Sequence, residues 1–234
     1  MRFSPELIPV TLLRRYKRFL ADVRLADGSE VTAHCPNTGA MLGCAEPGSR
    51  AWVSTSDNPR RKYAHTLEIV ASGDDLVGVH PGRANSLLAE ALDARRVEEL
   101  DGYAQRRPEA AVPDAAGRFD FLLRASPGHP DCWVEVKSVT LCRDGVARFP
   151  DAVSARALKH VEALVRRVDA GERGAFVFVV QHSGATAAGC AADIDPAYAD
   201  GVLRAIDRGV EVLAYGAAVS PQGIEIRGRL PFQV

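Results

Sequence analysis

One stretch of the sequence, residues 118–141, constrains the fold more than any other. It holds two runs rich in Phe, Leu, Val and Trp, at 118–124 and 131–141, a composition that favours β-strands. Three residues that break regular structure lie between the runs: Pro127, Gly128 and Pro130. The stretch therefore predicts two strands of one sheet, joined as an antiparallel hairpin.

The register of this hairpin determines which charged side chains meet. An alignment that pairs Arg124 with Asp131 sets the register, and Asp120 then lies opposite Glu135. Because side chains alternate along a strand, Glu135 shares its face with Lys137. Two carboxylates this close repel each other in an apolar setting unless a divalent cation lies between them. A lysine beside such a cation can orient or deprotonate a water molecule, or neutralise charge on a phosphate.

Two interpretations of these charges are open. An acid and an ExK string on exposed strands are usually ordinary solvated side chains. Here, however, Glu135 and Lys137 stand within residues 133–139, a run apolar enough for a central strand, where an unpaired charge is costly. The pattern therefore indicates a candidate catalytic site made of Asp120, Glu135 and Lys137.

Composition excludes several classes of protein. The 234 residues carry a formal net charge of −1, so the chain is not a polybasic coat for nucleic acid, and any such contact must come from local patches. Five scattered cysteines with no CxxC pair are typical of free thiols in a reducing cytoplasm. Residues 1–20 are too polar for a signal peptide, and no apolar run approaches the length of a membrane span. We therefore expect a cytoplasmic protein.

Residues 1–82 are expected to form an all-β domain. Five short strands separated by turn signals are predicted, at 16–25, 30–33, 51–54, 64–72 and 76–80, and they suit a small barrel such as the OB-fold. Local positive charge is concentrated here, close to Tyr16, Trp52 and Tyr63: Arg14, Arg15, Lys17, Arg18, Arg60, Arg61 and Lys62. Cations bind phosphates and aromatic rings stack on bases, so these residues are candidates for nucleic-acid contact. An ordinary solvated face explains them equally well.

Residues 83–234 are expected to form an α/β domain with the order α-β-β-β-α-β-α-β. Helices are predicted at 84–95, from about 149 to 170, and at 196–208; residues 181–195 are predicted to be a loop. Asn85 is predicted to cap the first helix, and the Pro150-Asp151 pair to cap the second. Strands that begin as hairpins and continue through a βαβ crossover predict a mixed sheet with helices on both faces.

This order, with Asp120 and Glu135-x-Lys137 on adjacent strands, resembles the PD-(D/E)xK nuclease superfamily, the restriction-endonuclease-like fold. Phe119 stands where that superfamily's motif has proline. A closer resemblance covers nearly the whole chain and connects it with the sugar fermentation stimulation protein family of bacteria and archaea. The strings that carry it are HCPNTG (34–39), RFDFLL (118–123), VEVKSVTL (134–141), FPDAVSARALKH (149–160) and DIDPAY (193–198). The resemblance implies an OB-like domain on a nuclease-like domain, DNA binding without marked sequence preference, and a role in regulating maltose or sugar use.

The nuclease resemblance also implies roles for individual residues. Asp120, Glu135 and the backbone carbonyl of Val136 would bind Mg²⁺ or Mn²⁺, since these ions prefer oxygen ligands. Glu90 on the first predicted helix is a candidate third acid, with an ordinary surface glutamate as the alternative. Three further residues are candidates for phosphate contact: Arg118, Lys159 and His160. Arg118 could instead pair with Asp120, Lys159 and His160 could instead contact water, and His160 could equally be a partly buried, hydrogen-bonded histidine. His34 and Asn37 either approach the cleft between the domains or serve only the turn in which they lie.

Two functions are compatible with these residues. The first is a Mg²⁺- or Mn²⁺-dependent phosphodiesterase acting on DNA. The second is a DNA-binding regulator of sugar metabolism whose nuclease-like site is vestigial or holds only a structural metal. A homodimer is compatible with either function. In both cases DNA is the expected partner.

Overall fold

The computed structural model describes residues 1–113, 117–124 and 130–233. Residues 125–129, which include the predicted breaks at Pro127 and Gly128, lie outside this range. Within the described range, no helix is long and apolar enough to cross a membrane.

The first six strands form one sheet that closes into a barrel. They are β1 (Ile8–Tyr16), β2 (Leu20–Arg24), β3 (Glu30–His34), β4 (Arg50–Thr55), β5 (His65–Ser72) and β6 (Asp75–Gly78). Their order is β3-β2-β1-β4-β5-β6, and a parallel pairing of His34 with Thr66 joins β3 to β5. Side chains such as Leu12, Val53 and Leu67 fill the interior. The predicted OB-like barrel is confirmed.

One predicted strand of the barrel is wrong. Residues 16–25 do not form a single strand, because β1 and β2 meet there in a tight hairpin. Its turn is made by Lys17 and Arg18, whose φ angles are 49° and 65°. Residues other than glycine rarely adopt this left-handed conformation, and such turns usually contain Gly, Asn or Asp. Because no Gly, Asn or Asp marks the turn, the sequence pattern predicted a single strand from the end of β1 through β2. It did not predict the rest of β1.

The second half of the chain alternates helices and strands. Its elements are α1 (Gly82–Asp93), a short 3₁₀ helix (Glu98–Leu100), β7 (Gln105–Ala111), β8 (Arg118–Arg124), β9 (Cys132–Val139), β10 (Leu141–Arg143), β11 (Val146–Phe149), α2 (Ala155–Asp169), β12 (Arg173–Val180), β13 (Ala187–Cys190), α3 (Pro196–Asp207), β14 (Glu211–Ser220), β15 (Gly223–Leu230) and β16 (Phe232–Gln233). The central sheet has the order β15-β14-β12-β9-β8-β7, and a smaller sheet has the order β10-β11-β13-β16. In the central sheet β9, β12 and β14 are parallel, and antiparallel strands complete each edge. The predicted mixed sheet is confirmed.

Helices cover both faces of the central sheet. On one face α1 packs through Leu87 and Leu88 against residues such as Val134 of β9. On the other face α2 and α3 pack against the aromatic side chains of β12, including Phe176. Because β9 is covered on both sides, its polar residues are buried with its apolar ones. This position places charge inside the molecule.

Several local predictions in this half are wrong. Asn85 does not cap α1 but lies inside it, since the N-cap position is Pro81. Ser154, not Asp151, caps α2, and its hydroxyl accepts a hydrogen bond from the Ala157 N–H at 3.1 Å. The predicted loop at 181–195 contains the short strand β13. β13 has only four residues, too few for a periodic pattern to emerge.

Candidate functional site

The pairing of β8 with β9 follows the predicted register. Phe121 lies opposite Val134 and Leu122 opposite Trp133, as an alignment of Arg124 with Asp131 requires. The ladder ends there, and at the next position the Asp120 side chain replaces the backbone as the acceptor. Its Oδ2 accepts the Val136 N–H at 2.7 Å. The two strands therefore separate at Asp120 and leave a carboxylate in the gap.

Glu135 is the centre of a buried charge cluster on β9. Only 4% of Glu135 and 8% of Lys137 is exposed, and the Lys137 Nζ donates to Glu135 Oε1 at 2.6 Å. His160 on α2 makes a very short contact with the same oxygen through Nδ1. The Lys137 ammonium also lies 5.9 Å and 6.0 Å from the ring centres of Phe149 and Phe176. The structure thus brings together Glu135, Lys137 and His160, all three of which are sequence-predicted site residues.

The two carboxyl groups have pKa values shifted in opposite directions. Burial raises the pKa of Asp120, and repulsion from Glu135 raises it further, against the hydrogen bonds from Val136 and Asn85. For Glu135, burial also favours the neutral acid, but the contacts with His160 and Lys137 outweigh it and lower the pKa. Environments that separate the pKa values of neighbouring acids are typical of functional sites. Glu135 therefore ionises more readily than an ordinary glutamate, and Asp120 ionises less readily than an ordinary aspartate.

An open cleft of about 460 Å³ leads to these groups and is called the carboxylate cleft below. Asp120, Glu135, Val136, Lys137 and His160 line it, so the two acids face the same space. Two exposed cations also line it, Arg118 from β8 and Arg156 from the first turn of α2. Lys159 is exposed on α2 but is not among the residues that line this cleft.

The predicted third acid lies elsewhere. The Glu90 carboxylate is 2.6 Å from the Met1 ammonium and faces a separate cleft bounded by Ile226, so the structure does not support Glu90 as a ligand beside Asp120. Another residue of α1, Asn85, reaches the site instead. Its amide donates to Asp120 Oδ1 at 2.7 Å, which holds the carboxyl group in place.

The donor set fits a hard divalent cation. Among the described residues, Glu135 Oε2 is one of five buried side-chain polar atoms without a hydrogen-bond partner, and the one that belongs to a carboxylate; an unsatisfied buried oxygen is costly. A cation that accepts oxygen ligands and keeps several waters, such as Mg²⁺, would satisfy it. The described part of the chain contains no group of three or more His, Cys, Asp or Glu side chains arranged to hold a metal. The protein ligands would therefore be Asp120, Glu135 and a backbone carbonyl such as that of Val136.

The first basic patch of the barrel divides into two kinds of side chain. The Arg15 guanidinium makes its hydrogen bonds within the protein. It donates to the carbonyls of Arg18, Asn37 and Gly39 at 2.8, 2.8 and 2.6 Å. Lys17 and Arg18 instead lie exposed at the β1–β2 turn. The exposed Arg14 is paired with Asp22 at 2.8 Å. A role for Arg15 in phosphate contact is not supported, because its donors hold the loop at 37–40.

The second basic patch lies on the loop between β4 and β5. Arg60, Arg61 and Lys62 are all exposed, although Arg61 donates to the Thr66 hydroxyl at 2.7 Å. Lys62 lies 5.6 Å from the centre of the Tyr63 ring. None of the three lines the carboxylate cleft. Nucleic-acid contact by this patch stays a prediction.

Sequence reasoning missed three residues of the site. Asn85 reaches Asp120, and Arg156 reaches the carboxylate cleft, only through the packing of α1 and α2, for which a single sequence holds no signal. Glu109 on β7 also lines the cleft and has a φ of 49°, which is rare for a non-glycine residue in a strand. The register of β7 with β8 places Glu109 opposite Asp120. A proline at position 108 marks β7 as an edge strand, but it does not reveal this conformation.

Comparison with known proteins gives matches over the full chain. A family model described as the SfsA N-terminal OB domain matches residues 13–79, and the sugar fermentation stimulation protein RE domain matches residues 82–223. A sugar fermentation stimulation protein homolog of Shewanella baltica (strain OS155) is 50% identical over 227 residues, 97% of each chain. A homolog of Pseudoalteromonas atlantica is 48% identical over 235 residues, 100% of each chain. Among solved structures, Pyrococcus furiosus SfsA in complex with Ca²⁺ matches with a TM-score of 0.88 and 26% identity, over 100% of this chain and 98% of that one.

Proposed function

The chain belongs to the sugar fermentation stimulation protein family, and on that premise we propose that its carboxylate cleft is a divalent-metal-dependent phosphodiesterase centre acting on DNA. The observation that carries the proposal is the buried Glu135. Its Oε1 is bonded to Lys137 and His160, while its Oε2 lacks a partner among the described residues. A half-satisfied carboxylate that lines an open cleft is expected where a cation is to be received.

Asp120, Glu135 and the carbonyl of Val136 would hold Mg²⁺ or Mn²⁺. A bound ion of this kind supplies a nucleophile at neutral pH by lowering the pKa of a bound water, and it neutralises phosphate charge. The Pyrococcus relative was solved with Ca²⁺, a cation that takes the same oxygen ligands. That finding supports the choice of a hard cation for this chain.

The remaining side chains have roles set by their contacts. Lys137 presents an ammonium group to the cleft and stabilises negative charge on a phosphoryl oxygen. Asn85 holds Asp120 through its Oδ1, and His160 holds Glu135 through its Oε1, so both are positioning residues. Arg118 and Arg156 line the same cleft and would bind the phosphates next to the reacting one.

DNA is the proposed substrate because the arrangement suits a phosphodiester polymer. Cations flank the carboxylates on two different elements, so they can contact successive phosphates of one backbone. The lack of a large positive net charge, −1 for the whole chain, predicts modest, salt-sensitive affinity. DNA is also the partner that the resemblance of the sequence to the sugar fermentation stimulation protein family implies.

One observation favours a second candidate, a regulator that binds DNA without cleaving it. The Lys137 ammonium lies 2.6 Å from Glu135 Oε1 and balances the carboxylate charge within the protein. In such a protein the exposed cations would carry the function, and loss of the Glu135 carboxylate would leave DNA binding intact.

A cleavage assay separates the two candidates. Purified protein is incubated with supercoiled plasmid and with single-stranded circular DNA, in Mg²⁺, Mn²⁺ or EDTA. We expect metal-dependent nicking that is lost in Glu135→Ala while gel-shift binding is retained. Glu162→Ala is the matched control, because Glu162 is an exposed residue of α2 that does not line the cleft. Equal nicking by Glu135→Ala and the control would assign the activity to a contaminant and refute the proposal.

A further inference from the structure

The carboxylate cleft continues toward the barrel. A second cleft of about 210 Å³ borders it at Val136, Lys137 and Phe149 and is lined on its far side by Thr38 and Gly39 of the barrel. We call this the middle cleft. A third cleft of about 480 Å³, called here the barrel cleft, borders the carboxylate cleft at Phe149 and Ser154. Phe149 lines all three clefts, so they adjoin one another at this side chain, and the three adjoining clefts together are called the groove below.

The barrel side of this groove is a fixed wall. Two side chains fix the loop at 37–41. Arg15 donates to the carbonyls of Asn37 and Gly39, and Asp151 accepts the Met41 N–H at 2.8 Å. Asn37 Oδ1 accepts the Gly39 N–H at 2.8 Å within the loop. The loop is therefore positioned before any ligand arrives.

The groove is narrow where its walls meet. Gly39 packs directly against the carboxylate of Asp151, so closely that a Cβ at position 39 would collide with it. Gly39 and Asp151 line both the middle cleft and the barrel cleft, so a ligand that occupies both clefts must pass this contact. One backbone needs less room there than the two backbones of a duplex, which are separated by grooves about 12 and 6 Å wide.

The chemistry along the groove suits a nucleic-acid strand. Each of the three clefts is lined by a cation: Arg118 and Arg156 in the carboxylate cleft, Arg148 in the middle cleft and Arg18 in the barrel cleft. The Arg148 guanidinium also donates to the Cys190 carbonyl at 3.1 Å. Phe19 follows Arg18 at the β1–β2 turn and does not itself line a cleft, but 48% of its surface is open to solvent. Cations beside an exposed ring bind single strands through phosphate contacts and base stacking.

We propose that a single DNA strand lies along this groove, with the reacting phosphodiester at Lys137, one flank on Arg118 and Arg156, and the other flank on Arg18 and Phe19. The inference rests on the proposed function for the position of the reacting group and adds the substrate class, single-stranded DNA. It also distinguishes the two basic patches of the barrel. Arg18 is part of the strand's path, whereas Arg60 lines none of the three clefts.

The test measures binding in EDTA, so that its outcome does not depend on cleavage. Fluorescence anisotropy compares a labelled oligo(dT) single strand, the duplex of the same length, and an RNA single strand of that length, over a range of salt. We expect the wild-type protein to bind the DNA strand about tenfold more tightly than the duplex. Equal or tighter binding of the duplex overturns the proposal, and tighter binding of the RNA overturns the assignment to DNA.

Two variants locate the path. Arg18→Glu is expected to weaken binding of the single strand about tenfold and to reduce the slope of log affinity against log salt by about 0.7, the value for one phosphate contact on a single strand. Arg60→Glu is the matched control, an identical change at another exposed barrel arginine, and should leave affinity within about twofold. Equal losses in the two variants refute the path.

A second pair of variants guards against an effect of charge reversal on folding. Phe19→Ala removes the stacking surface without a change of charge and is expected to weaken strand binding several-fold with the salt slope unchanged. Ile8→Ala, another exposed apolar residue of the barrel, is the control and should bind as the wild type does. If Phe19→Ala binds as tightly as Ile8→Ala, the strand does not reach the β1–β2 turn. Loss of cleavage with this binding pattern intact would refute the phosphodiesterase and leave the strand path standing.

Discussion

Replacement of Glu135 by glutamine should destabilise the protein, because it leaves a buried lysine without its partner. Both members of the pair are buried, and the Nζ–Oε1 distance is 2.6 Å. Removal of one member of a buried ion pair costs about 3–5 kcal/mol. Asp120 remains as a second carboxylate that interacts with Lys137, so we expect the lower end of the range, about 3 kcal/mol.

A second change should restore the lost stability without restoring function. Lys137→Met added to Glu135→Gln removes the unpaired ammonium and places a flexible apolar chain between the rings of Phe149 and Phe176. Replacement of a whole buried ion pair by apolar groups is often neutral or stabilising by about 1–4 kcal/mol. Because the glutamine introduced in place of Glu135 stays polar, we expect the double variant to recover most of the stability that Glu135→Gln loses, and to lack nuclease activity.

The measurement is urea unfolding in EDTA, followed by circular dichroism, with thermal melting as a check. For a chain of this length, 1 kcal/mol corresponds to about 2–4 °C in Tm, so Glu135→Gln should melt about 6–12 °C lower. Glu162→Gln, an exposed change on α2, should melt within about 2 °C of the wild type. The reasoning is refuted if Glu135→Gln loses less than about 1 kcal/mol, or if the double variant is as unstable as the single one.

Two further predictions concern other parts of the molecule. Gly39→Ala should cost about 1–3 kcal/mol, because the added methyl group collides with the Asp151 carboxylate; Gly228→Ala, where nothing lies within 4 Å of the added atom, should change stability far less, and equal melting shifts would contradict the contact. Burial lowers the pKa of His182, so the unfolded chain binds its proton first as the pH falls. This contribution to stability is fully present above the unfolded pKa of about 6.5 and is lost as the pH falls from there toward the lower folded pKa. His182→Gln should therefore lose less stability than the wild type between pH 7.5 and pH 5.5 in denaturant titrations, and an equal loss would show that His182 does not contribute.

The parts of the fold that were predictable are those with a strong local pattern. The apolar run of β12 is a buried strand, and α3 begins at Pro196 and ends before Gly209, as its start and stop residues indicate. The β8–β9 hairpin follows from composition, and its register follows from one pairing. These features depend on residues that are close together in the sequence, so a sequence pattern predicts them.

The rotation of α1 was not predictable in the same way. Asn85 and Glu90 are five residues apart, so they point about 140° away from each other around the helix axis. The packing of Leu87 and Leu88 into the core turns Asn85 toward Asp120 and Glu90 away from it. A sequence shows that one face of α1 is apolar, but it does not show which strand end lies beside each flank of that face.

The barrel shows a second limit of sequence patterns. Lys17 and Arg18 take left-handed conformations without a glycine, so the β1–β2 turn has no compositional mark. Because this turn was not predicted, the sequence also did not show that Arg15 anchors the loop at 37–40 through its hydrogen bonds to that loop. A row of basic residues predicted a phosphate-binding patch, whereas one of its members is a structural donor.

Titration of the protein with Mn²⁺ tests the proposed metal site most directly. Isothermal calorimetry would compare the wild type with Asp120→Asn and with Glu90→Gln, the acid of α1 that faces another cleft. We predict that the wild type and Glu90→Gln bind Mn²⁺ alike and that Asp120→Asn gives no binding heat. Binding by Asp120→Asn equal to that of the wild type, or its loss in Glu90→Gln, would contradict a metal centre between β8 and β9.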